Sequence, residues 1–224
     1  MIYIFHGDNQ VKTHRLFLKK IQHLQLPSKR LAAKSLNLTS LTKHLCSQSL
    51  FTSKELVIID ELFKLPKSKR RTQLISMIAA GEYDHDVIIL ENKKISKTQL
   101  KPFAQAEIVE SKLSSELFTL LDSITPQADK KALIDLLTRV VADNGDWMVF
   151  SMIQWKVKQL LTAHDPNYIS NSYPAKKARR QAQSFQLEEL LEFHQRLLKI
   201  DINHKSSRNP WSLKADLDYL LINI

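Results

Sequence analysis

The stretch that most resembles a nucleotide-binding loop begins at Gly7 and runs to Lys12-Thr13, between a predicted strand and a predicted helix. A P-loop requires glycine, four residues, then Gly-Lys-Ser/Thr, because its backbone amides must cradle phosphate closely. Here the spacing is one residue short and the second glycine is absent. We therefore expect a degenerate P-loop that binds no cofactor.

A second candidate is the carboxylate pair Asp60-Glu61, which follows the continuous apolar run Leu56–Ile59. Such a run predicts a strand buried on both faces of a parallel sheet. A pair of carboxylates after it stands where the Walker B acids of an ATPase would lie. Without a P-loop lysine, nothing holds a nucleotide for these carboxylates to act on.

The remaining chemistry-bearing residues are scattered. None of the eight histidines has a metal-ligand spacing such as His-x-x-x-His. His85, between Asp84 and Asp86, favours a surface turn over a functional site. Cys46 lies on the apolar side of a predicted helix, which favours a core position over a nucleophile. We therefore predict no catalytic residue and no metal site.

The elements that would position these residues divide the chain into two parts. Strands and helices alternate up to about residue 111, with a weak second strand at Arg30–Leu36 and the clearest strand at 86–91. This alternation predicts a three-layer α/β domain with a parallel sheet over residues 1–111. From residue 112 to 224 only helical periodicity remains, which predicts an all-α helical bundle.

The charge of the chain is +10, and most of the excess lies in the first part. Residues 1–111 carry 18 Lys and Arg against 10 Asp and Glu. This balance fits a polyanion or an acidic partner, or a surface that is kept soluble by lysine. Two basic runs are possible nucleic-acid or partner contacts. They are Lys67, Lys69, Arg70 and Arg71, and Lys176, Lys177, Arg179 and Arg180.

The single cysteine suits a reducing cytoplasm, where we expect the protein to be located. No run approaches the 18 apolar residues of a membrane-spanning helix, so we expect no membrane association.

An adjacent apolar pair, Leu50-Phe51, stands between polar residues just before the strand Leu56–Ile59. Loops normally lie at the surface, so the pair is either tucked under as a small core contact or presented outward. Burial statistics alone favour the tucked position.

Four stretches in this order resemble the delta subunit family of bacterial DNA polymerase III, a clamp-loader subunit. The most specific is the C-terminal stretch from Lys176 to Leu190, followed by Asp201 and Lys205-Ser206, which is similar to the family's helical collar. The others are Ile2–Asp8, Ser49-Leu50-Phe51 with the basic residue and strand after it, and Val87–Glu91.

The resemblance implies an AAA+-like α/β domain with a dead nucleotide site, followed by a collar domain. It implies a non-catalytic subunit of a DNA-directed DNA polymerase holoenzyme. Leu50 and Phe51 would then face outward and enter a pocket of the sliding clamp, and preferential binding to an opened clamp would favour ring opening.

The resemblance also implies partners. The collar would bind other clamp-loader subunits, and DNA is a possible further contact. The family's small helical lid is missing here, because collar-like helices such as Leu117–Asp122 follow residue 111 almost directly. The alternative function is a basic DNA-binding or adaptor protein of a replication or repair assembly.

Overall fold

The computed structural model describes residues 1–46, 54–165, 170, 172–208 and 210–224. These residues form two compact units, Met1–Leu113 and Ser114–Ile224. The division lies two residues beyond the predicted boundary at residue 111. Each unit has its own hydrophobic core and is described by itself.

The first unit is built on a five-stranded sheet in which every strand pairing is parallel. The order across the sheet is β2-β3-β4-β1-β5. The strands are β1 (Ile2–Gly7), β2 (Ser28–Ala32), β3 (Leu56–Asp60), β4 (Asp86–Leu90) and β5 (Glu107–Ser111). The helices are α1 (Gln10–Leu24), α2 (Leu38–Cys46), α3 (Lys69–Ala80) and α4 (Lys97–Leu100).

The sheet is buried on both faces because successive side chains along a strand point to opposite sides. On one face, Val57 and Ile59 of β3 pack with Leu41, Leu74 and other core residues. On the other face, Leu56 and Ile58 pack with Phe17 of α1 and its neighbours. The continuous apolar pattern of β3 therefore comes from helices on both sides of the sheet.

The second unit is helical, and its described residues form six helices. They are α5 (Ser115–Ser123), α6 (Lys130–Asn144), α7 (Asp146–His164), α8 (Tyr173–Ala182), α9 (Leu187–Lys205) and α10 (Leu213–Ile222). The predicted architecture is confirmed: a three-layer α/β domain with a parallel sheet, followed by an all-α domain.

Three local predictions need correction. The second strand is Ser28–Ala32 and is followed by a short 3-10 turn, so the predicted span Arg30–Leu36 was too late. Cys46 is exposed and not in the core, because Leu41 and Leu45 already fill the buried face of α2. His85 is buried and not in a surface turn.

The position of His85 has a clear structural reason. Its Nδ1 atom accepts a hydrogen bond of 3.1 Å from the backbone N–H of Glu55. The ring therefore supports the segment that leads into β3. Because buried polar groups need hydrogen-bond partners, a residue with a ring nitrogen serves here where an apolar side chain would not.

Candidate functional site

The turn after β1, where a P-loop would lie, is shaped by close contact with β5. Gly7 has φ +140°, and a Cβ atom added there would lie 2.1 Å from the carbonyl oxygen of Ser111. The backbone N–H of Asn9 then donates to the same carbonyl oxygen at 3.1 Å. Glycine is therefore needed at position 7 for strand packing, which is a role separate from phosphate binding.

The N-terminus of α1 is capped by the chain itself. The side chain of Asn9, which is fully buried, accepts a hydrogen bond of 2.9 Å from the backbone N–H of Lys12. The hydroxyl of Thr13 is also buried and donates to the carbonyl oxygen of Asn9 at 2.8 Å. These are the groups that a phosphate and its metal ion would use in a P-loop. Here they hold the first turn of the helix together.

The two carboxylates at the carboxyl end of β3, Asp60 and Glu61, are both engaged by nearby cations. Arg30 binds Asp60 with two hydrogen bonds, of 2.6 and 3.0 Å. Hydrogen bonding to Asp60 raises the pKa of the Arg30 guanidinium. Lys64 binds Glu61 at 2.9 Å, and this hydrogen bond lowers the pKa of the Glu61 carboxyl.

Glu61 also connects β3 to the end of β4. It adopts a left-handed conformation with φ +58°, which costs energy for a residue other than glycine. Its backbone N–H donates to the carbonyl oxygen of Leu90 at 2.9 Å, and its side chain accepts from the Asn92 amide at 3.1 Å. The strained turn is therefore held from the neighbouring strand.

A third acid at this edge of the sheet, Glu91, was not identified from the sequence. Its carboxyl is buried and accepts a hydrogen bond of 2.7 Å from the backbone N–H of Phe63. Burial raises the pKa of Glu91 to about 7. The signal in the sequence was a glutamate directly after a continuous apolar strand, because the position that follows such a strand can still be buried.

Arg30, Asp60, Glu61 and Asn92 border an open cleft of about 510 Å³ at the carboxyl ends of β2, β3 and β4. Ligands of open α/β sheets commonly bind at this edge. Its polar lining consists of His14, Arg30, Lys34, Asp60, Glu61, Lys64 and Asn92. The acids and bases largely neutralise one another, so the cleft has no strong preference for one sign of charge. Across the described residues, no group of three His, Cys, Asp or Glu side chains could hold a metal ion.

The predicted clamp-binding pair, Leu50 and Phe51, lies outside the described residues. Two ion pairs meet where the chain enters β3. Lys54 pairs with the buried carboxylate of Asp86 at 3.0 Å, and the N-terminal ammonium pairs with the same carboxylate at 2.6 Å. Burial raises the pKa of Asp86, but hydrogen bonds from both cations outweigh it and leave the pKa lowered.

The first basic run divides into exposed lysines and structural arginines. Lys67 and Lys69 are exposed. Arg70 donates to three backbone carbonyl oxygens, those of Ala33, Lys34 and Leu36. Arg71 is buried, donates to the carbonyl oxygen of Leu65 at 3.1 Å and lies 5.6 Å from the Phe63 ring centre.

The second basic run lies on α8, and all four of its cations are exposed. Lys177 binds Asp122 of α5, which also pairs at 3.0 Å with the buried ammonium of Lys156. Burial alone would raise the pKa of Asp122, but the two lysines hold it below its usual range. The other three cations are Lys176, Arg179 and Arg180.

Three residues of α8 that lie between or after its cations are explained by packing. The Gln181 amide donates to the carbonyl oxygens of Leu121 and Ile124, each at 2.9 Å. Ala178 and Ala182 are buried beside it on α8. Gln181 thus fixes α8 to the C-terminal end of α5 by satisfying carbonyls that the helix end leaves unpaired. Sequence analysis did not identify this role.

None of the helices formed by the described residues combines the length and the apolarity needed to cross a bilayer.

Comparisons with known proteins give structural likenesses only. No protein-family model and no curated protein sequence matches the chain. Among solved structures, the chain is similar to the Bacillus subtilis DNA clamp loader delta protein, with 12% identity, a TM-score of 0.49, and 99% of this chain and 94% of that chain covered.

A DNA polymerase III gamma subunit-related protein from Thermotoga maritima has 9% identity and a TM-score of 0.38, with 100% of this chain and 93% of that chain covered. A DNA replication initiation factor has 11% identity and a TM-score of 0.34, with 99% and 86% covered. At these identities and TM-scores, the likenesses carry no argument about function.

Proposed function

We propose that the protein is a non-catalytic clamp-loader subunit of the bacterial DNA polymerase III type. In this proposal, Leu50 and Phe51 bind the sliding clamp and favour its opening for loading onto primed DNA. The helical unit binds other loader subunits. The sequence resemblance supports each of these roles.

The observation that carries the proposal is the capped N-terminus of α1. In an AAA+-like domain, this helix end is where a nucleotide phosphate would bind. Here the Asn9 side chain accepts from the Lys12 N–H, and the Thr13 hydroxyl is engaged by the Asn9 carbonyl oxygen. A domain of this kind can act by binding energy alone, because a ligand that prefers one state of its partner shifts the equilibrium toward it. We expect no heat in a calorimetric titration with ATP and Mg²⁺. Saturable ATP binding would contradict the non-catalytic assignment.

The clamp-binding role is tested by measuring the affinity of the purified protein for its organism's sliding clamp. We expect Leu50→Ala/Phe51→Ala to weaken binding by about 100-fold, because two apolar anchors lose their burial. A matched control is Val11→Ala/Leu18→Ala, which truncates two exposed apolar residues of α1. Equal binding by the anchor variant and the wild type would reject the assignment of Leu50 and Phe51.

A second candidate, DNA binding by an adaptor protein, is favoured by the exposed cations Lys67, Lys69, Lys176 and Arg180. DNA affinity would fall steeply with salt, because each phosphate contact releases counterions. We would then expect Lys176→Ala/Arg180→Ala to reduce the slope of that salt dependence by about 2. No binding to duplex or primed DNA at low salt would remove this candidate.

A further inference from the structure

Helix α9 carries an exposed apolar stripe that its own bundle does not use. Leu187, Leu191, Leu198 and Ile202 are 40, 46, 49 and 53% exposed. At 3.6 residues per turn, these four positions fall within about 60° of the helix circumference and extend over about 22 Å. His194 and Gln195, both exposed, lie between Leu191 and Leu198, so the stripe consists of two apolar pairs, one on either side of these polar residues. Four large aliphatic side chains along one side of a helix are still more than the scattered apolar residues of an ordinary surface.

The stripe is distinct from the face by which α9 packs in its unit. The buried face is formed by Leu190, Phe193 and Leu197. Around the helix axis, the centre of this buried face lies about 120° from the centre of the exposed stripe. Two apolar faces on one helix indicate two different packing partners, of which the bundle supplies only one.

The two halves of α9 carry charges of opposite sign. The N-terminal half carries Glu188, Glu189 and Glu192, and the C-terminal half carries Arg196, Lys199 and Lys205. Asp201 is the exception, and it is paired with Lys205 at 2.7 Å. Glu188, Glu192 and Lys199 lie on the same side of the stripe by helical geometry. Glu192 is also paired with Arg196 of its own helix at 2.5 Å. Glu188 and Lys199 therefore set the opposite signs of charge at the two ends of this edge.

This arrangement is complementary to itself when two helices run antiparallel. The four stripe residues form two pairs that share one midpoint along the helix. The outer pair is Leu187 and Ile202, and the inner pair is Leu191 and Leu198. A two-fold axis at that point places each apolar residue opposite its counterpart. It also places Lys199 of one copy between Glu188 and Glu192 of the other.

We propose that the α9 stripe is the interface through which two copies of this chain associate, antiparallel and about a two-fold axis. The expected contact is close to the lower end of specific interfaces, about 1,200 Å² in total, so the dimer should depend on concentration. This inference goes beyond the proposed function and rests on the helical unit alone.

The first test is sedimentation equilibrium of the full chain over a wide concentration range. We expect the mass to rise from 25.9 kDa toward twice that value. Leu198→Glu should raise the dissociation constant at least about tenfold, because it places a charge against Leu191 of the other copy. The control Leu18→Glu changes a leucine of similar exposure, 45%, in α1 and should leave the dimer unchanged.

The second test exchanges charges and does not depend on the folding of one variant. Glu188→Lys and Lys199→Glu should each be monomeric alone, because like charges then face one another twice. An equimolar mixture of the two should form a heterodimer, because both contacts become attractive again. A monomer at every concentration would overturn the proposal and leave the stripe to a different protein's helix. A dimer that Leu198→Glu does not weaken, or a mixture that stays monomeric, would also overturn it.

Discussion

At the residue scale, Glu91 shows how tertiary position changes ordinary chemistry. The carboxyl is buried at the end of β4 and accepts a hydrogen bond from the Phe63 N–H. Burial is the largest cause of its raised pKa, and the nearby carboxylates of Glu61 and Asp60 add to it. The Arg71 guanidinium and the backbone hydrogen bond act in the opposite direction.

This raised pKa makes stability depend on pH. The folded protein holds the Glu91 proton up to about pH 7, while an unfolded glutamate loses it near pH 4.5. The contribution of Glu91 to stability is therefore present below pH 4.5 and is lost as the pH rises to 7. We expect the free energy of unfolding of Glu91→Gln, relative to that of the wild type, to increase by about 1–3 kcal/mol between pH 5 and pH 8.

The measurement is urea unfolding of both proteins at pH 5 and pH 8. The difference in unfolding free energy between variant and wild type is taken at each pH. Comparing its values at pH 5 and pH 8 cancels any effect of the substitution that does not depend on pH. If wild type and variant have parallel pH profiles, Glu91 is ionised in the folded protein and the expectation is wrong.

At the scale of elements, a glycine allows β1 and β5 to approach closely at the last of their five residue pairs, Gly7 and Ser111. Gly7 has no Cβ, and the Ser111 backbone occupies the space that a Cβ would need. The same contact orients the turn in which Asn9 caps α1. One close approach therefore sets the edge strand and the start of the first helix together.

We expect Gly7→Ala to destabilise the protein by more than about 3 kcal/mol, because backbone must move to admit the methyl group. The matched control is Gly81→Ala. Gly81 ends α3 with φ +68° and has nothing within 4 Å of an added Cβ, so only the left-handed conformation costs energy, about 1 kcal/mol. Thermal and urea unfolding would measure both. If Gly7→Ala and Gly81→Ala lower the free energy of unfolding equally, the role of the Ser111 contact is contradicted.

At the scale of the whole molecule, the chain consists of two units with separate cores. The core of the second unit includes Leu117 and Leu121 of α5, together with residues from the helices that follow. The partly exposed carboxylate of Asp122 pairs with the buried ammonium of Lys156 within the same unit. The unit therefore has its own apolar core and its own polar contacts.

We expect a fragment of residues 112–224 to fold alone into a helical domain with a cooperative thermal transition. A shorter fragment, 124–224, lacks α5 and its buried leucines, and should lose that transition. Far-UV circular dichroism of both fragments is the measurement. A longer fragment that melts without cooperativity would show that the second unit needs the first.

The sequence alone determined the features that depend on local pattern. Continuous apolar runs such as Leu56–Ile59 predicted a parallel sheet buried on both faces, and helical periodicity after residue 111 predicted the helical domain. Both predictions succeeded because the burial of a strand or helix face is encoded in neighbouring residues. The spacing around Gly7 likewise indicated a degenerate P-loop.

Only the tertiary structure decided which polar residues are structural. Arg70 and Arg71 belong to a basic run, yet their guanidinium groups bond to carbonyl oxygens of segments that precede the helix. His85 and Glu91 are buried by elements distant in sequence. Sequence pattern does not reveal such roles, because a hydrogen-bond partner is chosen by proximity in space. The fold alone brings these groups within bonding distance.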